Sequence, residues 1–340
     1  MVRCIRVPKA AGEKVRRALI DAGELDPGHC IRVDGDSLLI PTTGDGMGYP
    51  VEDDELKAQT HAPTDYREIA EVPAALKDEL PSSFDTVGDI AILKLEEPLL
   101  PYRHAVGTAL LRVLPNLRAV FLDGGVKGEF RIRDLEKIAG EGTSETVHRE
   151  TGTRMLTDPS VVYFNSRLAN ERARVAGLVC PGEVIIDMFA GVAPFGTVIC
   201  KHAAPKVVYS IDLNPACERF MRENMRLNHI DNLVPITGDA VQAVRDLPSA
   251  DRIIMNLPQI ADRFLATALS KLKPTGTIHM HKILECTELP VFEQQLKKQM
   301  ATAGYEIRIV QVTELKSYSP TMSVYVFDIQ SEPLTASVSV

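Results

Sequence analysis

Four apolar runs in the second half of the chain each close on a side chain that can grip a ligand. EVIID ends in Asp187, VVYSID ends in Asp212 25 residues later, LVPITGD ends in Asp239, and DRIIMN ends in Asn256. Strand ends of a parallel sheet lie side by side, so groups placed there converge on one crevice. Asp212 can accept from both hydroxyls of a ribose, and Asp239 can reach an adenine amine. Either acid alone can equally cap the next helix; the pair, after a glycine turn, points to a nucleoside. In Met255-Asn256-Leu257-Pro258 the amide offers a paired donor and acceptor to a planar base edge, and the proline fixes the turn. Such an Asn-x-Pro occurs in methyltransferases that act on planar nitrogen, but an ordinary turn before a helix also uses it.

The glycine turn after Asp187 reads Asp187-Met-Phe-Ala-Gly191-Val-Ala-Pro-Phe-Gly196. A pyrophosphate site needs GxGxxG, so that backbone amides can approach the phosphates at a helix N-terminus. Here the middle glycine is missing. Pro194 opens the helix and removes a donor that a phosphate would use. The turn suits a ligand held by van der Waals contact, such as the methionine part of S-adenosylmethionine, or it is a plain tight strand–helix turn.

These groups need a scaffold. From about residue 180 strands and helices alternate five times, from EVIIDMF to PVFEQQLKKQMATAG, which predicts a doubly wound, mostly parallel sheet. YEIRIVQVTELKSYS and MSVYVFDIQ then follow with no helix between them. A parallel sheet closed by an antiparallel hairpin is the class I, Rossmann-like methyltransferase fold: seven strands in an α/β architecture. Upstream, VGDIAILKL, RAVFLDGG, GEFRIRDLEKIAGE and SETVHRETGTRMLTD predict a mixed α/β domain, the last three as strands of one mixed sheet, with HAVGTALLRVLP as its helix. Residues 1–45 predict a small α/β module with a hairpin turning at Asp34-Gly35. The acidic, Gly- and Pro-rich stretch from about 46 to 68 reads as a linker. The expected divisions are 1–65, 66–165 and 166–340.

Bulk properties narrow the class. At 340 residues and 45% hydrophobic, the chain can bury two or three cores. No apolar run nears the roughly 20 residues of a bilayer span, and the N-terminus lacks a signal-peptide pattern. A soluble cytoplasmic protein is expected. Six cysteines without CxxC pairing or a His cluster predict buried free thiols and no metal. The net charge of -8 argues weakly against nucleic acid, but its distribution does not. Residues 1–50 carry 7 positive and 7 negative side chains, residues 51–100 carry 4 and 13, and residues 101–174 carry 12 and 9. A local basic face for a structured RNA survives next to the glycine turn.

Just before that turn lies Tyr163-Phe-Asn-Ser-Arg167-Leu-Ala-Asn-Glu171-Arg172-Ala-Arg174. Arg167 and Glu171 are four apart and share a helix face. A solvated ion pair is the default for such a pair, but this helix enters the first core strand and can lie across the ligand cleft.

With these motifs assembled, the chain resembles the archaeal and eukaryotic tRNA (guanine-37 N1)-methyltransferases almost from end to end. VPKAAGEKVRRAL, GEFRIRDLEKIAGE, TVHRETG, YFNSRLANERARVA, DMFAGVAPFG and MNLP carry the resemblance. The departure is Asn165-Ser166, where the family tends to have Ser-Pro. The resemblance implies S-adenosylmethionine as methyl donor and tRNA as partner through both its anticodon loop and its folded body; a monomer is expected because one chain carries all the parts. N1 of guanine carries a proton at neutral pH, so methylation needs a base to remove it and a cation to hold the charge that moves to O6. The implied base is Glu171. The implied cation is Arg131, with Arg133 in reserve because alternate strand residues share a face, and Asn256 positions the base. Cofactor contacts are expected from Arg167, Asp187, Phe189, Gly191, Val192, Pro194, Asp212, Leu213, Asp239, Ala240 and Asn256. Substrate contacts are expected from Arg131, Arg133, Arg172, Pro258, Lys316 and Tyr318. Residues 1–45 would touch a remote part of the tRNA.

Two other readings compete. The family includes relatives that methylate or alkylate wybutosine precursors at the same nucleotide, and a tRNA-binding protein without turnover is conceivable. The intact set of Glu171, Asp212 and Asn256 speaks against the latter, and the failed GxGxxG spacing speaks against an NAD enzyme.

Overall fold

The computed structural model describes residues 1–59, 63–317 and 321–332. It divides into two compact units, Met1–Asp65 and Tyr66–Val340. No helix among the described residues is long and apolar enough to cross a membrane.

The first unit is a four-stranded antiparallel sheet with one helix. Its elements are β1 (Val2–Pro8), α1 (Gly12–Asp21), β2 (Arg32–Asp34), β3 (Ser37–Pro41) and β4 (Val51–Asp54), in sheet order β2-β3-β1-β4. The hairpin turns at Asp34-Gly35 as the sequence suggests, with Gly35 at φ +56°. β4 falls inside the stretch read as a linker. Its sequence, VEDD, has poor strand propensity, and pairing with β1 overrides that. Arg6 on β1 explains how the acids are tolerated there, since it bridges Asp34 and Glu52.

The second unit opens with α2 (Tyr66–Ile69), β5 (Asp85–Val87), β6 (Ile90–Leu93), α3 (Arg103–Val113), β7 (Ala119–Lys127) and β8 (Ile132–Gly140). The four strands form a mixed sheet, β5-β6-β7-β8. β9 (Thr146–Glu150) and β10 (Thr153–Thr157) form a separate two-stranded hairpin, against the expectation that they join the mixed sheet. A pair of asparagines accounts for this. Asn224 and Asn228 lie one turn apart on a helix and each exchanges two hydrogen bonds with the β10 backbone, at Leu156 and Arg154. The free edge of β10 is thus satisfied by side chains rather than by another strand.

The remaining elements are α4 (Ala169–Leu178), β11 (Val184–Asp187), α5 (Pro194–His202), β12 (Val207–Asp212), α6 (Ala216–Asn228), β13 (Leu233–Thr237), α7 (Ala240–Asp246), β14 (Ala250–Met255), α8 (Leu265–Leu269), β15 (Leu272–Glu285), α9 (Leu289–Thr302), β16 (Glu306–Ser317) and β17 (Met322–Glu332). The seven strands run β13-β12-β11-β14-β15-β17-β16, parallel except for the terminal hairpin. This is the class I methyltransferase sheet. β11 is buried at all four residues, as a central strand covered on both faces must be. One core cluster holds Ile90 and Phe121 of the mixed sheet together with Ile185 of the larger one and Val175 and Phe195 of the helices α4 and α5. That shared core makes residues 66 onward one compact unit.

Of the six cysteines, all free, Cys4 and Cys217 are buried and Cys200 is half-buried. Cys30, Cys180 and Cys286 are exposed, which corrects the expectation of buried thiols throughout.

Candidate functional site

A cavity of about 510 Å³ opens at the C-terminal ends of β11, β12 and β14, where a doubly wound sheet reverses its strand order. Four segments build it: the turn after β11 (Met188, Phe189, Gly191), the ends of β12 and β13 (Asp212, Leu213, Gly238, Asp239), the turn after β14 (Asn256 to Ile260), and the tip of the β7–β8 hairpin (Gly128 to Arg131).

Gly191 fixes the floor. It sits at φ +56°, and a Cβ there would stand 2.9 Å from the Tyr163 carbonyl oxygen, so only glycine fits without strain. Its N–H donates to Asp212 Oδ2 at 2.7 Å, while the Asn214 N–H donates to Oδ1 at 2.9 Å. Two backbone donors thus hold the Asp212 carboxylate in one orientation. Burial raises its pKa, and the Asn214 and Gly191 N–H groups oppose the rise. Asp239 caps α7 by accepting the Gln242 N–H at 3.0 Å through Oδ1, and it lines the cavity as well. Capping and ligand contact are therefore compatible: Oδ1 serves the helix, which leaves Oδ2 for a ligand.

Asp187 lies one residue before the lining residue Met188 and is fully buried. Neither of its oxygens has a hydrogen-bond partner of good geometry. Burial, and then the neighbouring Asp212, push its pKa to about 8, opposed only by the nearby Phe189 N–H. A buried carboxyl without a partner beside an open cavity fits a cationic ligand. The apolar wall, where Phe189 packs edge-on against Phe264 at 5.1 Å, fits an uncharged one. S-adenosylmethionine carries both characters.

Arg131 is not in a strand, so the alternation that paired it with Arg133 does not apply. It closes the hairpin turn at φ +54°, accepting an uncommon backbone conformation for a non-glycine residue. Its guanidinium lines the cavity and has no acidic partner among the described residues. The Asn256 amide likewise makes no hydrogen bond there and lines the same cavity.

Phe189, Gly191, Asp212, Leu213, Asp239, Ala240, Asn256, Pro258 and Arg131 are thus brought together. Several other expected residues are not. Val192 is fully buried, and its carbonyl accepts from Asn224; Pro194 is buried in the first turn of α5. Arg133 is spent between Asp85 and Asp123, and Arg167 is held by Asp85 at 2.6 Å. Arg172 is wholly buried, forked onto Glu150 and bonded to the Asn165 carbonyl. Those three arginines complete internal ion pairs, which composition alone does not distinguish from ligand contacts. Glu171 is 3% exposed on α4, outside the cavity lining, with both oxygens taken by Arg174 at 2.7 and 2.8 Å. The side chain of Lys316 and all of Tyr318 lie outside the described residues.

The structure adds Phe130, Tyr163, Asn214 and Phe264 to the lining. Phe130 adjoins Arg131 in GEFRIR, and Tyr163 begins the quoted YF motif; turn geometry, not spacing, brings them in. At Asn165, where the family tends to have Ser-Pro, the side chain accepts the Arg167 N–H at 3.1 Å and starts the helix by itself.

Comparison with known proteins agrees with this geometry. A TRM5/TYW2 methyltransferase domain model matches residues 146–310, a TYW2 N-terminal domain model residues 67–143, and a tRNA methyltransferase 5 N-terminal domain model residues 4–45. The tRNA (guanine(37)-N(1))-methyltransferase Trm5b of Pyrococcus abyssi is 43% identical over 83% of this chain and 84% of its own. A solved complex of aTrm5 and tRNALeu is 31% identical, covers 97% of this chain and 99% of its own, and superposes with a TM-score of 0.83. Methanocaldococcus jannaschii TYW2, solved with AdoMet, is 26% identical over 74% of this chain and 100% of its own, with a TM-score of 0.56. The chain belongs to the TRM5/TYW2 methyltransferase family.

Proposed function

We infer that the protein transfers the methyl group of S-adenosylmethionine to N1 of guanosine 37 in tRNA. One observation carries the reading. An unpartnered guanidinium, Arg131, and an unpartnered amide, Asn256, line the same cavity as the two strand-end acids Asp212 and Asp239. The acids supply acceptors for a ribose and an adenine amine. The first pair supplies what a guanine edge needs, namely a cation for the charge gathering on O6 and a donor–acceptor group for its rim. When bound, the sulfonium supplies an activated methyl group. The protein's part is to hold N1 in line with it and to take the N1 proton.

Glu171 is the proposed base. Its carboxylate has two further lone-pair positions beyond those that Arg174 occupies. Catalytic hydrogen bonds commonly tighten only when substrate is bound, so the base acts once tRNA brings N1–H within its reach. An anticodon-loop base can be splayed out of its stack at modest cost. Residues 1–65 are proposed to read the folded tRNA body, 66–165 to bring the Arg131 turn, and 166–340 to hold donor and base. One chain supplies every group named, which supports a monomer, and a tRNA substrate supports a place in the cytoplasm.

The test is nucleoside mass analysis after incubation with S-adenosylmethionine and a tRNA transcript bearing guanosine at position 37. One added methyl on guanosine is expected, and general-base losses of about 10²–10⁴-fold in Glu171→Gln. An aminocarboxypropyl product, or full activity in both Glu171→Gln and Arg131→Ala, overturns the reading.

A further inference from the structure

Glu171 is the first member of a buried chain of polar groups that crosses the sheet. Arg174, on the same helix, forks onto both Glu171 oxygens and turns its outer edge to Asp328 of β17, at 2.8 and 3.1 Å. Asp328 Oδ1 in turn meets His279 Nδ1 on β15 at 2.6 Å. The far nitrogen, His279 Nε2, lies 2.7 Å from Arg252 Nη1 on β14. A guanidinium can only donate, so Nε2 must be the acceptor and the His279 proton must sit on Nδ1, donated to Asp328. His279 is therefore neutral, consistent with burial lowering its pKa against the pull of Asp328.

We propose that Asp328 is a positioning residue for proton removal: it anchors the outer edge of Arg174, so that Glu171 is held in one orientation by a guanidinium that it shares with a second carboxylate. The proposal rests on Glu171 being the base. Its logic is charge balance. A carboxylate forked by an arginine alone is a weak base, because its charged form is stabilised. A second carboxylate on the same arginine offsets that stabilisation. Burial works to raise the Asp328 pKa, but the hydrogen bonds from His279 and Arg174 prevail and hold it at about 2, so this second charge persists through the working pH range.

Few other ionisable groups reach the chain. From α4 it is Arg174; from β17, Asp328; from β15, His279 and His281; from β14, Arg252, which is itself held by Glu183. His281 is fully buried with both ring nitrogens unpartnered, and burial lowers its pKa to about 3, so it carries no charge. On the other side of α4, α5 packs with the apolar Val198 and Phe195.

The experiment is the pH dependence of single-turnover methylation in Asp328→Asn, with Kd for S-adenosylmethionine and KM for tRNA measured beside it. Removing the charge should let Arg174 bind Glu171 more tightly, weakening the base. The expected result is a rate lower by about tenfold, part of the full general-base contribution. The acid limb of the profile should move down by about one pH unit, with Kd and KM unchanged. An acid limb that stays in place, or a loss confined to KM, overturns the proposal. If Asp328→Asn does not melt cooperatively, Arg174→Lys carries the test. Loss of one of the two donors on Glu171 should move the limb upward, and an unmoved limb sinks the idea there too. Full activity in Glu171→Gln would instead remove the base assignment itself, so the two failures read differently.

Discussion

The carbonyl oxygen of Tyr163 lies 2.9 Å from the point where a Cβ on Gly191 would stand. The segment that enters α4 therefore rests directly on the turn that holds Asp212. Gly191→Ala sets a methyl against a backbone atom that cannot swing aside, at a φ of +56° that costs an L-residue roughly 1–2 kcal/mol. The expected outcome is at least about tenfold weaker binding of S-adenosylmethionine, read by calorimetry. Native affinity in that variant would mean that the turn does not set the cofactor site.

Arg172, expected at the substrate, instead forms a deeply buried ion pair with Glu150, their side chains 1% and 5% exposed. Burial works to raise the Glu150 pKa, but hydrogen bonds from His148 and Arg172 lower it below the usual carboxylate range. Truncating one partner strands a buried charge. Arg172→Ala should lose about 3–5 kcal/mol of unfolding free energy, seen as a lower urea midpoint at constant m value. If stability is untouched and only the tRNA KM rises, the residue contacts substrate after all.

Asp187 gives the free protein a pH dependence of definite sign. Its folded pKa is raised to about 8 from an ordinary 3.8, chiefly by burial. Between those values the folded state holds a proton that the unfolded state has released, so stability falls as pH rises from about 4 to 8. Asp187→Asn should flatten that part of the stability curve. A cationic donor favours the ionised carboxylate, so the thermal shift on adding S-adenosylmethionine should be larger at pH 8 than at pH 6. Equal shifts at both pH values would remove Asp187 from the cofactor's surroundings.

The sequence made the sheet and its strand-end acids legible because both follow from simple periodicities. EVIID and VVYSID read as strands of a parallel sheet, and acids at the ends of such strands converge. The arginines were not legible. Arg133 and Arg172 read as substrate contacts and Arg167 as a cofactor contact, yet their acidic partners, Asp85 and Glu150, lie 22 to 82 residues away along the chain. Arg131 lines the cavity, but it was reached through a resemblance and with a strand expected where the chain makes a turn with φ +54°. The Glu171–Arg174–Asp328 chain was invisible for the same reason: 154 residues separate Arg174 from Asp328.

The turn that carries Arg131 also carries Phe130, 40% exposed and lining the cavity. An exposed aromatic ring beside an unpaired guanidinium is a surface on which a flipped base can stack, and such stacking contributes about 1–3 kcal/mol per base. Phe130→Ala should therefore lower kcat/KM for tRNA by about thirtyfold at the midpoint of that range, while Phe130→Trp retains most of it. Binding of S-adenosylmethionine should not change in either variant, because the ring belongs to the hairpin and not to the strand ends proposed to hold the cofactor. Steady-state kinetics with transcript as the varied substrate decide it. A kcat/KM unchanged in Phe130→Ala would leave Arg131 and Asn256 to orient the guanine without a stacking partner from this turn.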